Sequence, residues 1–547
     1  MAQGLSPQAQ ELIESASLTH LTAPQRKAIA RTFAPFLDTV CTATKRSTFY
    51  NSVEEQEEAV MRVHDEMFSL DRGIYAITCM LPGVTDYARQ IAIAKLLGNP
   101  RDGRNSLLPE DVEFKLLEWL AGSMPPHRFL KLVRTFAGQR VGNQRAGSIH
   151  NARTKRLILR FFFLNDNMMF WATKYRVKLR TVLQHAWGVN TAKAVGRVCA
   201  RDGRSRTNKD KALLAREIDR YLAKNDAGQA LNRADTYEAV AFVMGHEDCV
   251  RNTKLKAYVA AKADLNAGRG ILPETTLVGL RNTFHKTTPM ADVLQAAESV
   301  MSDNEKRLAQ KKASKAGVRL QFDASKLDLI ELYVYAFERG MGQRIVEAVK
   351  QKAKTIAQRL PMRFQKVAVV LDASCSMHGG DKQPLRPMAI ALAARDVLEA
   401  MSVECPVFVV GGEEDGKLIR PADSTGLCDA LLDALEAEPD AVFVISDGYE
   451  NAPAGRFAEV MHLLRKKVKC ETPVYHINPV MAAESGGTRK LAVKDVTTLP
   501  LSNPARLGLP MLRAMMESDV KSGLKLLAQM TLPLLTGNNR NALPSGA

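Results

Sequence analysis

In the run Val367 to Met377, VAVVLDASCSM, an uninterrupted apolar stretch stops at a carboxylate, and hydroxyls follow at alternate positions. Continuous Val/Leu runs of this length mark a parallel strand buried on both faces, and such strands carry ligand-binding loops at their carboxyl edge. Residues two apart in an extended loop point the same way, so Asp372, Ser374 and Ser376 aim one carboxylate and two hydroxyls at one point. A second run at 441–447, AVFVISD, also ends in an aspartate, Asp447, and turns through Gly448. Between them, Asp423, Ser424, Thr425 and Gly426 precede an apolar-periodic segment, and a hydroxyl from Thr425, with Ser424 as the alternative, is placed to complete the shell. An all-oxygen cluster of this kind suits a divalent cation, Mg²⁺ or its substitute Mn²⁺. The competing reading is that Ser374 and Ser376 only cap the helix that follows.

The surrounding pattern is strand and helix in alternation: 366–372, 384–402, 405–411, 425–437, 441–447, 455–468 and 472–478. It predicts a doubly wound parallel α/β sheet. The first 300 residues read differently, with helical periodicity at 7–16, 53–68, 85–97, 109–121, 167–187, 209–223, 255–267 and 273–284, broken by short Gly/Pro/Asn/Asp stretches. Medium helices joined by short turns predict an α-solenoid of stacked helix pairs, without a strict sequence repeat. Residues 306–315 form a polar, basic helix or linker, 345–358 a helix leading into the first strand, and 507–535 helix again. The expected division is 1–360 helical, 361–505 α/β with the metal site, and 506–547 a C-terminal helical segment and tail.

A chain of 547 residues with 46% hydrophobic and 25% charged residues reads as multidomain, soluble and globular. No basic segment followed by an apolar core opens the sequence, and no apolar run reaches membrane-spanning length, so a cytoplasmic protein with no membrane partner is expected. The eight cysteines show no CxxC pairing and read as reduced thiols. Hydrolysis at the carboxylate cluster would need a positioned base or a second metal. His378 reads as a turn residue, and the expectation is a binding protein with no catalytic residues.

Charge separates the two halves. Residues 361–547 hold 20 Lys+Arg against 22 Asp+Glu, whereas the first 360 hold 56 against 37. Residues 131–210 alone carry 18 basic and 3 acidic groups, a block that attracts a polyanion. Projected as one helix, 167–187 places Tyr175, Leu179, Val182, Leu183 and Ala186 inward, with Lys174, Lys178 and His185 on one border and Arg176 and Arg180 on the other. Arg140, Arg145, Arg153, Lys155 and Arg156 extend the basic surface upstream, and Lys193 and Arg197 downstream. The loop 138–151, with Gly142, Asn143, Gln144 and Gly147 beside arginines, suits phosphate contacts more than base reading. Tyr175 or Trp187 are stacking candidates, Tyr175 being the one better placed for the core.

The three loops around Asp372, Thr425 and Asp447 resemble the metal-ion-dependent adhesion site of the von Willebrand factor A domain. With Ala172-Thr173-Lys174-Tyr175-Arg176 and the later Leu280-Arg281-Asn282 before them, the order of parts resembles the Ro ribonucleoprotein autoantigen family, the TROVE-domain proteins. That resemblance implies a TROVE-like RNA-binding domain of HEAT-like helix pairs closed into a ring, followed by an A-like domain. It implies binding of Y-like noncoding RNA and of single-stranded 3′ ends of misfolded RNA in RNA quality control. It also implies an exoribonuclease as partner and a protein that is monomeric in its ribonucleoprotein. Lys174 and Arg176, with His185, are the residues it carries over. A rival reading, a metal-dependent A-domain adaptor working with an AAA+ ATPase in protein remodelling, explains the metal loops but not the basic block. A metal-dependent phosphoesterase using Asp372 and Asp447 is a second rival.

Overall fold

A computed structural model describes residues 21–42, 53–98, 108–136, 149–165, 167–222, 233–360, 362–380, 384–416, 418–423, 426–450, 453–480, 489–492, 496–501 and 503–535. The expected helix at 7–16 lies outside these. The chain divides into two compact units: Met1–Ala92 with Arg101–Leu116 and Ala324–Asn539, and Ile93–Pro100 with Leu117–Asp323 and Arg540–Ala547. This grouping by packing cuts across the three sequence segments.

The α/β part lies in the first unit. Strands β1 (Phe364–Asp372), β2 (Ser402–Glu404), β3 (Val407–Val410), β6 (Ala441–Ile445), β7 (Val474–Asn478) and β8 (Thr497–Pro500) form one parallel sheet, with β2 and β3 pairing one after the other along β1, and then β6, β7 and β8 in order. A small antiparallel hairpin, β4 (Glu413–Asp415) and β5 (Leu418–Arg420), stands apart. The doubly wound sheet expected from sequence is present. The short strands β2, β4, β5 and β8 were not anticipated, being too brief to show a period. Ala368, Val370, Val442 and Val444 pack against Leu427, Leu431, Ala434, Phe457 and Met461 of the helices Leu427–Glu436 and Arg456–Leu463. Pleating turns Val369, Leu371, Phe443 and Ile445 to the opposite face, so β1 and β6 are buried on both sides, which is why they read as continuous apolar runs.

The same unit joins an early segment of the chain to a late one. Thr85 N–H donates to the Val40 carbonyl at the end of helix Ala23–Thr42, and Arg513 Nη1 of helix Leu509–Ser518 reaches both carboxylate oxygens of Asp38 at 2.9 and 3.0 Å. Helices Leu329–Arg339 and Arg386–Met401 are tied by Arg386–Glu331 at 2.8 Å and by the Tyr333 hydroxyl on Asp396. The expected single helix at 507–535 is two, broken at Asp519, which caps the second by accepting from Lys521 N–H at 3.0 Å.

The described residues of the second unit form helices joined by turns, with no strand. Side chains that accept from free amide groups open its helices: Asn151 at Ala152–Phe163, Thr207 with Asp210 as a capping box at Asn208–Leu214, and Ser302 with Glu305 as another at Asp303–Lys315. The predicted helix 167–187 is two helices, Met168–Lys174 and Arg176–Trp187, which share Tyr175 as a joint with φ −120° and ψ 21°. No helix among the described residues is long and apolar enough to cross a membrane.

In the first unit a fully buried ion pair joins helices Arg72–Thr78 and Glu110–Ser123, Arg72 Nε and Nη2 donating to Glu113 at 2.9 and 3.0 Å. Breaking a buried ion pair by removing one partner costs about 3–5 kcal/mol. Glu113→Ala is expected to lower stability by that amount in urea unfolding, and Arg72→Met/Glu113→Leu to regain most of it. A loss below about 1 kcal/mol for the single variant would show the pair to be dispensable.

Candidate metal and nucleic-acid sites

Register builds the first site. Leu371 pairs with Ile445 across β1 and β6, so Asp372 stands opposite Ser446 where both strands leave the sheet. Asp372 is fully buried, accepting the Ser374 N–H at 2.9 Å and the Ser446 hydroxyl at 2.7 Å. The hydroxyls of Ser374 and Ser376 lie 3.1 Å apart, Ser374 buried and Ser376 exposed, so the cluster opens towards solvent. Asp447 is 4% exposed, and its Oδ1 accepts the Tyr449 N–H at 2.9 Å. Gly448 then turns with φ +80°, in a backbone region that side chains disfavour. Cys375 N–H donates to the Asp423 carbonyl at 3.1 Å, which straps the 411–423 loop over the end of β1. Thr425 and Ser424 lie outside the described residues.

Burial raises the Asp372 pKa above the ordinary carboxylate value, opposed by the Ser446 and Ser374 hydrogen bonds, and the nearby Asp447 charge raises it further. Two carboxylates in mutual repulsion beside converging hydroxyls form a donor set that a hard divalent cation would relieve, so the residues fit Mg²⁺. Among the described residues no group of three or more His, Cys, Asp or Glu is placed to hold a metal, so any such ion would rely on the serine hydroxyls. His378 is exposed. All eight cysteines are free, and Cys375 is exposed within the loop.

Sequence reasoning missed Ser446 and His476. His476, fully buried on β7, has Nε2 3.0 Å from the Ser446 carbonyl and Nδ1 3.0 Å from Thr498 Oγ1. A carbonyl only accepts, so Nε2 carries the proton and Nδ1 accepts from the threonine hydroxyl. The polar Ser446 and His476 interrupt apolar strands, and that was the available signal.

In the second unit the basic block sorts into braces and exposed groups. Arg176 is buried: Nε donates to the Phe242 carbonyl at 3.0 Å, the guanidinium lies 4.1 Å from the Phe242 ring centroid, and Nη1 pairs with Glu247. Arg180 Nε donates to the Val243 carbonyl at 2.8 Å. Both therefore satisfy terminal carbonyls of helix Arg233–Met244, where a cation also complements the helix dipole. Lys155 pairs with buried Glu217 at 2.7 Å. His185 places Nε2 3.3 Å from the Ile149 carbonyl, and burial lowers its pKa. Acidic partners that are remote in sequence thus neutralise part of the block, which a count along the helix could not show.

Lys193 and Arg197 are exposed one turn apart on helix Val189–Ala200, Arg156 is exposed, and Arg153, Lys174 and Lys178 are half-buried. Arg140 and Arg145, with the rest of 137–148, lie outside the described residues. Aromatic rings not singled out from sequence lie on and against helix Met168–Lys174. Phe129 and Phe161 have centroids 4.2 Å apart, and Phe161 and Trp171 5.0 Å; Phe161, Phe170 and Trp171 are only partly buried. Lys174 and Lys254 bring their ammonium groups 5.4 and 5.9 Å from the Phe170 centroid. Trp187 is buried, and Tyr175, at the joint, is half-buried.

The fold and the site together describe a helical protein with a parallel α/β sheet whose carboxyl edge presents a carboxylate–hydroxyl cluster. The chain is similar to the crystal structure of the Deinococcus radiodurans Ro (RSR) protein, at TM-score 0.40 and 14% identity, over 91% of this chain and 94% of that one. No protein-family profile matches the sequence, and no curated protein matches it.

Burial pushes His476 down to about 4 from its ordinary 6.5. Between those values the unfolded chain binds a proton that the folded chain refuses, so this residue's contribution is complete above about pH 6.5 and is lost as pH falls. Asp372, with its raised pKa, acts in the opposite sense. Urea unfolding at pH 7.5, 6 and 5 is expected to show His476→Gln with a shallower acid loss than the parent chain. The difference approaches about 1.4 kcal/mol per pH unit below pH 6. Parallel profiles would rule out a neutral buried imidazole.

Proposed function

We propose that this chain is a non-enzymatic RNA-binding protein of the Ro type, carrying an A-like domain with an Mg²⁺ site. The observation that carries the reading is the partly buried Phe161–Trp171 ring pair and, next to Trp171 in the same helix, the Phe170 ring with two lysine ammonium groups near it, in the unit that holds most of the chain's excess positive charge. Stacking platforms beside cations take single-stranded bases with little sequence preference, while exposed Lys and Arg neutralise phosphates and release counterions. Lys174, Lys178, Lys193, Arg197 and Arg156 are the residues this reading assigns to RNA, whereas Arg176, Arg180 and Lys155 brace the fold. The natural ligands are then small Y-like noncoding RNA and the single-stranded 3′ ends of misfolded RNA, in cytoplasmic quality control with an exoribonuclease as partner.

Binding of one hairpin RNA with and without a single-stranded 3′ tail is to be followed by anisotropy across a salt titration. Tail-dependent affinity is expected, falling by about 1–3 kcal/mol for each stacked base released in Phe170→Ala/Trp171→Ala. Lys174→Glu/Arg197→Glu should weaken binding and flatten the salt slope by roughly 0.7 for each phosphate left without its cation. Equal, weak binding by all variants would end the RNA reading in favour of the A-domain adaptor.

At the sheet edge, Asp372 and Asp447 would supply charge to the cation and Ser374 and Ser376 neutral oxygens, with Thr425 the further hydroxyl that the sequence offers. The ion would offer an open coordination position to a partner's oxygen. Mg²⁺ or Mn²⁺ is expected to raise the melting temperature of the parent chain and not of Asp372→Ala, with RNA affinity nearly unchanged. Proton competition at the raised Asp372 pKa should weaken metal binding on acidification earlier than at an exposed aspartate. Calorimetric titration with Mn²⁺ at pH 7.5 and 5 checks both, and a heat signal surviving in Asp372→Ala would place the ion elsewhere.

A further inference from the structure

Arg506, in the turn after β8, is 9% exposed, and its Nε and Nη1 have no hydrogen-bond partner among the described residues. Its side chain lies against Gly83, where a Cβ would come 2.1 Å from Nε; Gly83 has φ +92°, so the chain gives up a side chain there to let the arginine pass. A second buried arginine, Arg89, is near enough for the two charges to repel, and its Nε and Nη2 make long contacts to the Cys79 and Leu81 carbonyls, at 3.4 and 3.3 Å. The one acid acting on Arg506 among the described residues is the Cys41 thiol, which burial raises to about 11 and so keeps neutral. Asp86 acts on Arg89 and not on Arg506. Asp38 is engaged by Arg513.

A buried guanidinium with unused donors is costly, and arginine cannot shed its charge at neutral pH. Buried polar groups left without partners in this way point to an ion or water at the site. Three segments meet here: the end of helix Ala23–Thr42 at Cys41, the 79–85 turn with the start of helix Asp86–Gly98, and the 504–506 turn. We propose that Arg506, with Arg89, holds a small tetrahedral oxyanion of the phosphate class, which pins the N-terminal helices to the chain as it leaves the sheet. Burial limits the occupant to an inorganic ion rather than a phosphate carried on a larger group.

The test uses the full chain. Equilibrium dialysis with radiolabelled inorganic phosphate is expected to give one saturable site in the parent chain and in the charge-reversed Lys174→Glu/Arg197→Glu variant, which controls for surface binding. The site is expected to be absent in Arg506→Met. Melting should rise saturably with millimolar phosphate, beyond a chloride control of equal ionic strength, in those two proteins alone, and AMP should give no rise. If Arg506→Met fails to fold, the parent and charge-reversed proteins decide by stoichiometry. No saturable phosphate in either, or an equal shift with AMP, overturns the proposal and leaves water as the partner of Arg506.

Discussion

The register between β1 and β6 is the constraint on which the sheet edge depends. With Leu371 opposite Ile445, Asp372 meets the Ser446 hydroxyl and Asp447 follows one residue later on the same edge. A shift of one residue would exchange the faces of the whole strand, turning Val370 and Val444 away from the helices they pack on. The apolar core therefore enforces the position of a carboxylate that is itself expensive to bury. Ser446 is held in turn by Gly448 N–H on its hydroxyl and His476 on its carbonyl, so the site has a floor of hydrogen bonds as well as a frame of strands.

In the helical unit the same economy of charge takes another form. Basic residues of the block that contact carbonyls at a helix end serve as fixed cations inside the protein, and those left on the surface set the field that an incoming polyanion meets. Arg176 and Arg180 belong to the first kind, Lys193 and Arg197 to the second. Helix periodicity places Arg176 and Arg180 on a border of the apolar face, where a basic side chain can turn either inward or out to solvent, so spacing alone does not settle their role. What settles it is the end of helix Arg233–Met244, which supplies carbonyls 66 and 63 residues further along.

Legibility in the sequence followed the range of the interactions. The strand that ends at Asp372, the second ending before Asp447 and the helices flanking them were readable because each is a local pattern of apolar residues. The inward face of 176–187 was readable for the same reason: Leu179, Val182, Leu183 and Ala186 are buried. Ser446 and the imidazole beneath it, the acidic partners Glu217 and Glu247, and the pairing of Asp38 with Arg513 all join residues remote in the chain. The break at Tyr175 escaped because the residue before Arg176 carries no Gly or Pro signal. The joint is set by tertiary anchoring of Arg176 rather than by a weak local helix former.

The interleaving of the two compact units bears on how the chain is made. Residues 117–323 of the second unit run without interruption, whereas the first unit needs both the segment before residue 92 and the helices beyond 509. During synthesis the insert emerges whole and can condense while its host is still half-built. The host must hold the helix Ala23–Thr42 and its neighbours without their final partners until more than 400 further residues have left the ribosome, as the Asp38–Arg513 separation of 475 positions shows. The apolar face of that early segment, with Ile29, Phe33, Phe36, Leu37 and Val40, is thus the part of the nascent chain most in need of a chaperone.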